Sequence, residues 1–204
     1  RSQPLLRAAY RREATKEGRF KYAHVLGMMG QADGEDLLIE KVKESDWDKG
    51  WNFRGMGQFN RSVSWMDSYI IALGRAKSKK AVPVLLDKAR ELTSANEFSH
   101  FRAVAMALES IGDRSAAPVL GGLLAQDALS GHAIQMQPEL PRIANYSNEE
   151  GNKERTGCLR ELAVARALYR LGDFEGRGEK ALRAYADDPR GAYSRHAKLV
   201  LAGK

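Results

Sequence analysis

The sequence has few of the residues on which disulfide scaffolds, metal centres and membrane spans depend. Its single cysteine excludes a disulfide framework and any metal or redox site built on a pair of cysteines. No apolar run approaches the roughly 20 residues of a membrane-spanning helix. Six prolines and 19 glycines are too few for a fibrous chain. The composition, 43% hydrophobic and 29% charged over 204 residues, is typical of one globular domain with a substantial core.

The net charge of +7 is concentrated at the two ends of the chain. Residues 1–22 have seven Lys or Arg and two Glu, and residues 177–204 have seven against three acidic residues. The segment 23–176 has 19 basic and 21 acidic residues. A nucleic-acid groove along the body of the protein requires the opposite distribution, so the charge pattern does not favour nucleic-acid binding.

Four segments of the chain align without gaps on a leucine. The aligned residues are Leu26, Leu73, Leu108 and Leu168. Apolar residues recur four, three and one positions before each leucine and three positions after it. These spacings place the apolar side chains on one stripe of an α-helix. Small residues at two of these positions let neighbouring helices approach closely.

Helix stop and start signals recur at fixed distances from the same leucines. Gly30, Gly112 and Gly172 follow their leucine by four residues, and Pro83 and Pro118 follow theirs by ten. Glycine is favoured just after a helix end, and proline is tolerated in a first helical turn. The pattern predicts five antiparallel helix pairs. The first helices are expected at 3–15, 34–43, 79–92, 114–126 and 175–187, and the second at 19–29, 63–75, 97–111, 157–171 and 190–202.

The segments ALGRAKSKKAVPVLL (72–86) and ALESIGDRSAAPVL (107–120) resemble HEAT repeats of the short, PBS-lyase-associated kind. The resemblance implies an all-α, right-handed α-solenoid of about five HEAT-like helix pairs, with the second helices on its concave side. Each pair buries its apolar stripe only by stacking on its neighbours. We therefore expect residues 1–204 to form a single repeat domain. HEAT arrays serve mainly as binding surfaces.

Two long insertions interrupt the repeat, because the leucines are spaced by 47, 35 and 60 residues. The insertions lie at about 44–62 and 127–156, and each connects the first helix of a pair to the second. Both therefore leave the same edge of the solenoid, where insertions often form a binding site. In the second insertion we expect an ordered front part and a solvated hairpin tip at 148–155.

The three tryptophans of the chain lie within one stretch of 19 residues that covers the first insertion and the next helix start. Three interpretations of this aromatic loop are open: it folds back onto the solenoid as a structural plug, it docks onto a partner, or it lines a small-molecule pocket. The candidate partner-binding residues are Trp47, Trp51, Phe53, Arg54, Phe59, Arg61, Trp65, His100, Arg102 and His132.

The residues needed for catalysis or metal binding are scattered along the sequence. None of the four histidines lies four residues from another or precedes a glutamate, whereas the HEAT-repeat enzyme deoxyhypusine hydroxylase binds two irons through repeated His-Glu dipeptides. We therefore expect no metal site. Cys158 has no His or Asn near it in sequence, which favours a packed cysteine over a reactive one. No phosphate-binding glycine motif or catalytic serine motif occurs, so we expect no catalytic site.

The segment GWNFRGMGQFNRSVSWMDSYIIALGR (50–75) is similar to C-terminal regions of bacterial FAD-dependent oxidoreductases. The resemblance implies a non-catalytic docking domain of such an enzyme, with the flavin domain upstream of Arg1 and no FAD in this segment. The chain starts without Met, as a piece of a longer protein would. Its compartment, cytoplasmic or exported, then depends on the missing N-terminus. Two alternatives stay open: a free-standing HEAT-repeat scaffold and a nucleic-acid-binding HEAT-like protein.

Overall fold

The computed structural model describes residues 2–50, 64–135 and 149–203, and the regular structure within these ranges is helical throughout. Short 3-10 turns at Lys79–Ala81 and Arg114–Ala116 lead into the fifth and seventh α-helices. The predicted all-α class is confirmed. The ten α-helices of the described ranges are α1 (Gln3–Arg12), α2 (Lys16–Met28), α3 (Glu35–Glu44), α4 (Trp65–Arg75), α5 (Val82–Arg90), α6 (Phe98–Ile111), α7 (Ala117–Leu124), α8 (Glu149–Arg170), α9 (Arg177–Ala186) and α10 (Gly191–Leu201).

The helices pack as two parallel rows of neighbours. In one row, α2, α4, α6 and α8 each contact the next even-numbered helix. In the other row, α3, α5 and α7 each contact the next odd-numbered helix. Each even-numbered helix also packs on the odd-numbered helix that precedes it in the chain. Packing between near neighbours is the defining property of a solenoid. The predicted solenoid of five helix pairs is therefore confirmed for the described residues.

The repeated leucines form the centre of the core. Each of them is 0% exposed, as the aligned apolar stripe predicts. Small residues bring the even-numbered helices together: a Cβ atom added to Gly74 on α4 would lie 2.4 Å from Ala107 Cα on α6, closer than atomic contact allows. The expected close approach of neighbouring helices is present at this crossing.

The helix ends follow the predicted glycine and capping signals. Gly112 ends α6 with a φ of 78°, a left-handed conformation that glycine adopts without steric cost. Thr15 caps α2, because its hydroxyl accepts a hydrogen bond from the Gly18 N–H at 3.0 Å. The chain must leave the helical conformation before this cap. As a result α1 ends at Arg12, three residues earlier than predicted.

The second insertion is shorter than predicted, because α8 begins at Glu149 and not at 157. The expectation of a solvated hairpin tip is therefore wrong for residues 149–155, and residue 148 lies outside the described residues. The polar run continues directly into the helix, and the Thr156 hydroxyl donates to the Asn152 carbonyl at 2.8 Å along it. Glu, Lys and Arg are good helix formers, so the run that suggested a loop forms the first turns of a helix, and within 151–156 only Lys153 is exposed.

Candidate docking surfaces

Hydrogen bonds close the first insertion at its base. The Asp48 carboxylate accepts one from the Ser64 hydroxyl at 2.5 Å and another from the Trp65 N–H at 2.7 Å. Ser64 Oγ in turn accepts a hydrogen bond from the Asp67 N–H at 2.9 Å, which makes Ser64 the N-cap of α4. The negative charge of Asp48 lies at the N-terminus of this helix, where the helix dipole stabilises it.

The described front of this insertion, residues 45–50, folds back onto α6. The half-buried Trp47 ring lies 4.5 Å from the His100 imidazole, centroid to centroid. His100 is 1% exposed, and its Nδ1 lies 2.7 Å from Asp67 Oδ1. Gly50 is so close that an added Cβ would lie 2.6 Å from His100 Cε1. The structure thus places His100, a candidate partner contact in the sequence, inside the core.

Trp65, in contrast, begins α4 with its side chain in solvent. It is 62% exposed, and its ring stacks on Tyr69 with the centroids 6.2 Å apart. The His24 ring on α2 meets Tyr69 edge-on at 5.0 Å. An open cavity of about 490 Å³ lies beside these rings between α2, α3 and α4. This cavity, the Trp65 groove, is lined by Lys16, Glu17, Phe20, Lys21, His24, Leu37, Glu40, Lys41, Glu44, Trp65 and Tyr69.

The charges on the rim of the Trp65 groove largely cancel. Lys16 pairs with Glu40 at 2.7 Å across the groove, and Lys21 pairs with Glu17 at 2.7 Å along α2. Burial lowers the pKa of His24 below its ordinary value, because the charged imidazolium loses hydration there. His24 is therefore mostly neutral at pH 7. The groove presents an aromatic, nearly neutral surface.

Half of the ten candidate partner-binding residues fall outside the described part of the chain. These are Trp51, Phe53, Arg54, Phe59 and Arg61, within 51–63. Among the other five, Trp47 lies in the first insertion, Trp65 begins α4 and His100 lies on α6, and the insertion contacts both of these helices. Arg102 and His132 lie elsewhere, as described below.

The front of the second insertion is fixed to α8 by a buried carboxylate. Glu161, 3% exposed, accepts hydrogen bonds from the backbone N–H groups of Gly131 and His132, both at 2.9 Å. It also accepts one from the Tyr185 hydroxyl at 2.9 Å. His132 itself is half-buried, and its Nε2 lies 3.2 Å from the Ala128 carbonyl oxygen. One glutamate thus joins the insertion, α8 and α9.

A buried ion pair in the turn between α9 and α10, formed by Asp188 and Arg190, also holds this segment. Asp188 accepts a hydrogen bond from the Ile134 N–H at 2.8 Å, and the Arg190 guanidinium donates to the His132 carbonyl at 2.8 Å. Arg190 also lies 3.2 Å from the sulfur of Cys158. Burial raises the pKa of Cys158 to about 11, so its thiol stays protonated at neutral pH. The packed cysteine expected from the sequence is present.

A larger cavity of about 890 Å³ lies between α6, α8 and the start of α10. Arg102 points into solvent on its α6 side. Within the described part of the chain, Arg102 forms no hydrogen bond or ion pair. This cavity, the arginine groove, is lined by Phe98, Arg102, Met106, Arg155, Leu159, Leu162, Ala163, Arg166, Arg190, Gly191, Ala192, Tyr193 and His196.

The described residues give no sign of a metal centre or a membrane span. In the ranges 2–50, 64–135 and 149–203, no three His, Cys, Asp or Glu side chains are grouped so that they could hold a metal ion. None of the helices in those ranges is both long and apolar enough to cross a bilayer.

The described packing defines the chain as an α-solenoid repeat protein. No protein-family model matches the sequence, and no curated protein matches it. Among solved structures, the chain is similar to the complex of CpcE and CpcF of phycocyanin lyase from Nostoc sp. PCC7120. The TM-score is 0.41 and the identity 19%, over 98% of this chain and 87% of that one. A likeness of this degree carries no inference about activity or partners.

Proposed function

We propose that this chain is a protein-docking module that binds a folded partner through the Trp65 groove. The observation that carries the proposal is the 62% exposure of Trp65 beside an open cavity of about 490 Å³. Tryptophan has a large apolar ring and is enriched at the centres of protein interfaces. A contiguous aromatic surface in water is an interaction site more often than a solvated face.

The geometry favours recognition without a large rearrangement. Stacking on Tyr69 holds the Trp65 ring, and the Asp48 hydrogen bond fixes its backbone. A side chain that is already ordered loses less conformational entropy when a partner covers it. We infer that Trp65 acts as a preformed contact for an apolar patch of the partner.

The charges at the groove favour a protein over a nucleic acid. Lys16 and Lys21 are both paired with glutamates. Tracking phosphates requires several cations that are free to release counterions on binding. The paired rim fits the mixed polar border of a protein interface.

The finer proposal concerns the identity of the partner. The similarity of residues 50–75 to bacterial FAD-dependent oxidoreductases supports a flavin-binding domain as the occupant of the groove. That segment includes Trp65 and all of α4. On this proposal FAD belongs to the partner domain, and this chain is its accessory region. A free-standing scaffold would use the same surface for a separate protein.

Cross-linking from position 65 tests the docking proposal. A photoreactive phenylalanine replaces Trp65 in one variant and Leu199 in a control, because Leu199 on α10 is also exposed, at 52%. Both variants are expressed in the cells that produce the protein, and cross-linked species are identified by mass spectrometry. The expected result is a cross-link from position 65, and not from position 199, to one defined partner: a domain of the same polypeptide on the oxidoreductase proposal, or a separate protein on the scaffold proposal. The purified components should reproduce this cross-link.

The captured protein also separates the finer alternatives. A flavin-containing partner supports the oxidoreductase proposal, and a partner without flavin supports the scaffold. Equal cross-linking from both positions, or none from position 65, would overturn docking through the Trp65 groove.

A further inference from the structure

We propose that the arginine groove binds an acidic amphipathic segment of a partner protein. This inference rests on the proposed docking function, and it adds a second surface together with the chemistry of its ligand. Three features carry it: the shape of the groove, the apolar character of its floor and the excess of positive charge around it.

The groove lies where α10 diverges from α8. Helix α10 packs mainly on α9 and contacts α8 only sparsely, so a space of about 890 Å³ opens beside α6. At the start of α10, Gly191 and Ala192 are exposed. Among the described residues, a Cβ atom added to Gly191 would meet only the Arg195 guanidinium, at 3.8 Å. The cavity is large enough for several side chains of a bound helix.

The floor of the groove is apolar. It is formed by side chains from three helices, of which Leu162 and Phe98 are buried and Met106, Leu159 and Tyr193 are half-buried. Amphipathic helices bind such grooves by inserting apolar residues spaced three or four positions apart. The flexible apolar side chains of Met106, Leu159 and Leu162 suit such contacts.

Positive charge is in excess around this floor. Among the described residues, the groove lining has four arginines and His196 but no acidic residue. Glu109 accepts from both Arg166 and Arg170, at 2.9 and 2.5 Å, so one carboxylate serves two guanidiniums. Arg102 forms no ion pair or hydrogen bond with any described residue.

The arrangement matches carboxylates better than a nucleic-acid backbone. Arginine binds carboxylates with two parallel hydrogen bonds, and Arg102 is an exposed arginine of the groove lining. Arg190 is already paired with Asp188 at 2.5 Å, and Arg166 shares Glu109. Two of the four lining arginines are thus paired with acidic residues, so the groove suits one or two carboxylates beside an apolar helix face better than a run of phosphates.

The test uses defined probes with purified protein. A fluorescent helical peptide of about 15 residues, long enough to form a helix, has leucines on one face and glutamates on the other. A second peptide has glutamine in place of glutamate, and single- and double-stranded DNA of similar length are the nucleic-acid probes. Binding is measured by fluorescence anisotropy at low and at physiological salt, because salt weakens exposed charge pairs.

We expect the glutamate peptide to bind more tightly than the glutamine peptide and than either DNA. Arg102→Ala should weaken its binding about five- to tenfold, the loss expected for a charge-assisted contact. Arg12→Ala is the matched control, because Arg12 on α1 is also exposed and the same charge is lost. Trp65→Ala should leave this binding unchanged, which separates the result from that of the cross-linking experiment.

Several outcomes would overturn the proposal. Equal binding of the glutamate and glutamine peptides would show an apolar site without charge recognition. Tighter binding of DNA would show a nucleic-acid site. No binding of the glutamate peptide, or equal losses with Arg102→Ala and Arg12→Ala, would remove the groove as an acidic-peptide site.

Discussion

The Asp48 carboxylate accepts a hydrogen bond from the Trp65 backbone N–H at 2.7 Å, across 17 positions of the sequence. This bond joins the two ends of the first insertion and orients the start of α4. It thereby links the part of the insertion that packs on α6 to the tryptophan that lies in solvent.

Asp48→Ala should lower the free energy of unfolding by about 1 kcal/mol, the usual cost of losing a cap at a helix N-terminus. The N–H of Trp65 and the hydroxyl of Ser64 both lose their acceptor in this variant. Urea unfolding followed by circular dichroism measures the change. Asp46→Ala is the control, because Asp46 is exposed and should be neutral. Equal effects of the two substitutions would show that the Asp48 bonds contribute nothing to stability.

Gly74→Ala should destabilise the protein by about 1–3 kcal/mol, as overpacking of a core does. The new methyl group would lie within 2.4 Å of the backbone of Ala107, so α4 and α6 would have to separate. Gly122→Ala in α7 is the matched control, since a Cβ there meets no described residue within 4 Å. That change should stabilise by about 0.5–1 kcal/mol, because alanine favours the helix. Thermal unfolding of both variants tests the pair, and similar midpoints would contradict close packing at Gly74.

Asp188 should make stability sensitive to acid. Its burial alone would raise its pKa, but the hydrogen bonds from Arg190 and from the Ile134 N–H outweigh burial and lower the pKa below the ordinary value. The unfolded chain therefore takes up a proton on Asp188 at higher pH than the folded protein does. The stabilisation is fully present above the unfolded pKa of about 4 and is lost as the pH falls through the folded pKa.

Thermal midpoints measured from about pH 6 down to about pH 2 test this prediction. The wild-type protein should lose stability more steeply below about pH 4 than Asp188→Asn, which lacks the titrating group. Asp188→Asn should also be strongly destabilised at neutral pH, because it leaves Arg190 without its charged partner. Parallel pH profiles of the two proteins would exclude a role for Asp188 in the acid response.

His196 should make binding of the acidic peptide depend on pH. Burial lowers its pKa, and Arg166 and Arg170 on α8 lower it further, against the opposing effect of Glu109 on α6. A bound carboxylate would favour the charged imidazolium and raise this pKa. Affinity should therefore increase as the pH falls from about 7.5 to about 6, a range in which glutamates stay ionised. Anisotropy titrations should show this trend in the wild type and not in His196→Gln.

The sequence predicts the helix pairs well because their signals are local. The apolar residues that recur around the four aligned leucines lie within a few positions of one another. The glycine stop signal at Gly112 likewise depends only on residues close to it in sequence. The start of α8 is the exception, because charged helix formers such as Lys153 are equally compatible with a solvated loop. Only packing along the whole helix distinguishes the two.

The sites are harder to predict, because their residues come from different repeats. The segment 23–176 has 21 acidic and 19 basic residues, and this average conceals the cluster of Arg102, Arg155 and Arg166 at one groove. Trp47 and Trp65 have the same side chain in the same loop region, and only their tertiary neighbours place one against His100 and the other in solvent. The buried Glu161 has no periodic signal at all.

The central claim is that this chain binds its partner through Trp65. Because the ring is 62% exposed, Trp65→Ala should change the free energy of unfolding by less than about 0.5 kcal/mol. The partner identified by cross-linking is purified in its free form and titrated into the wild type, Trp65→Ala and Leu199→Ala. Calorimetry of these titrations gives the contribution of the Trp65 side chain to the binding affinity. The docking proposal predicts an affinity loss of about tenfold or more for Trp65→Ala and none for Leu199→Ala. Equal affinities for the three proteins would contradict it.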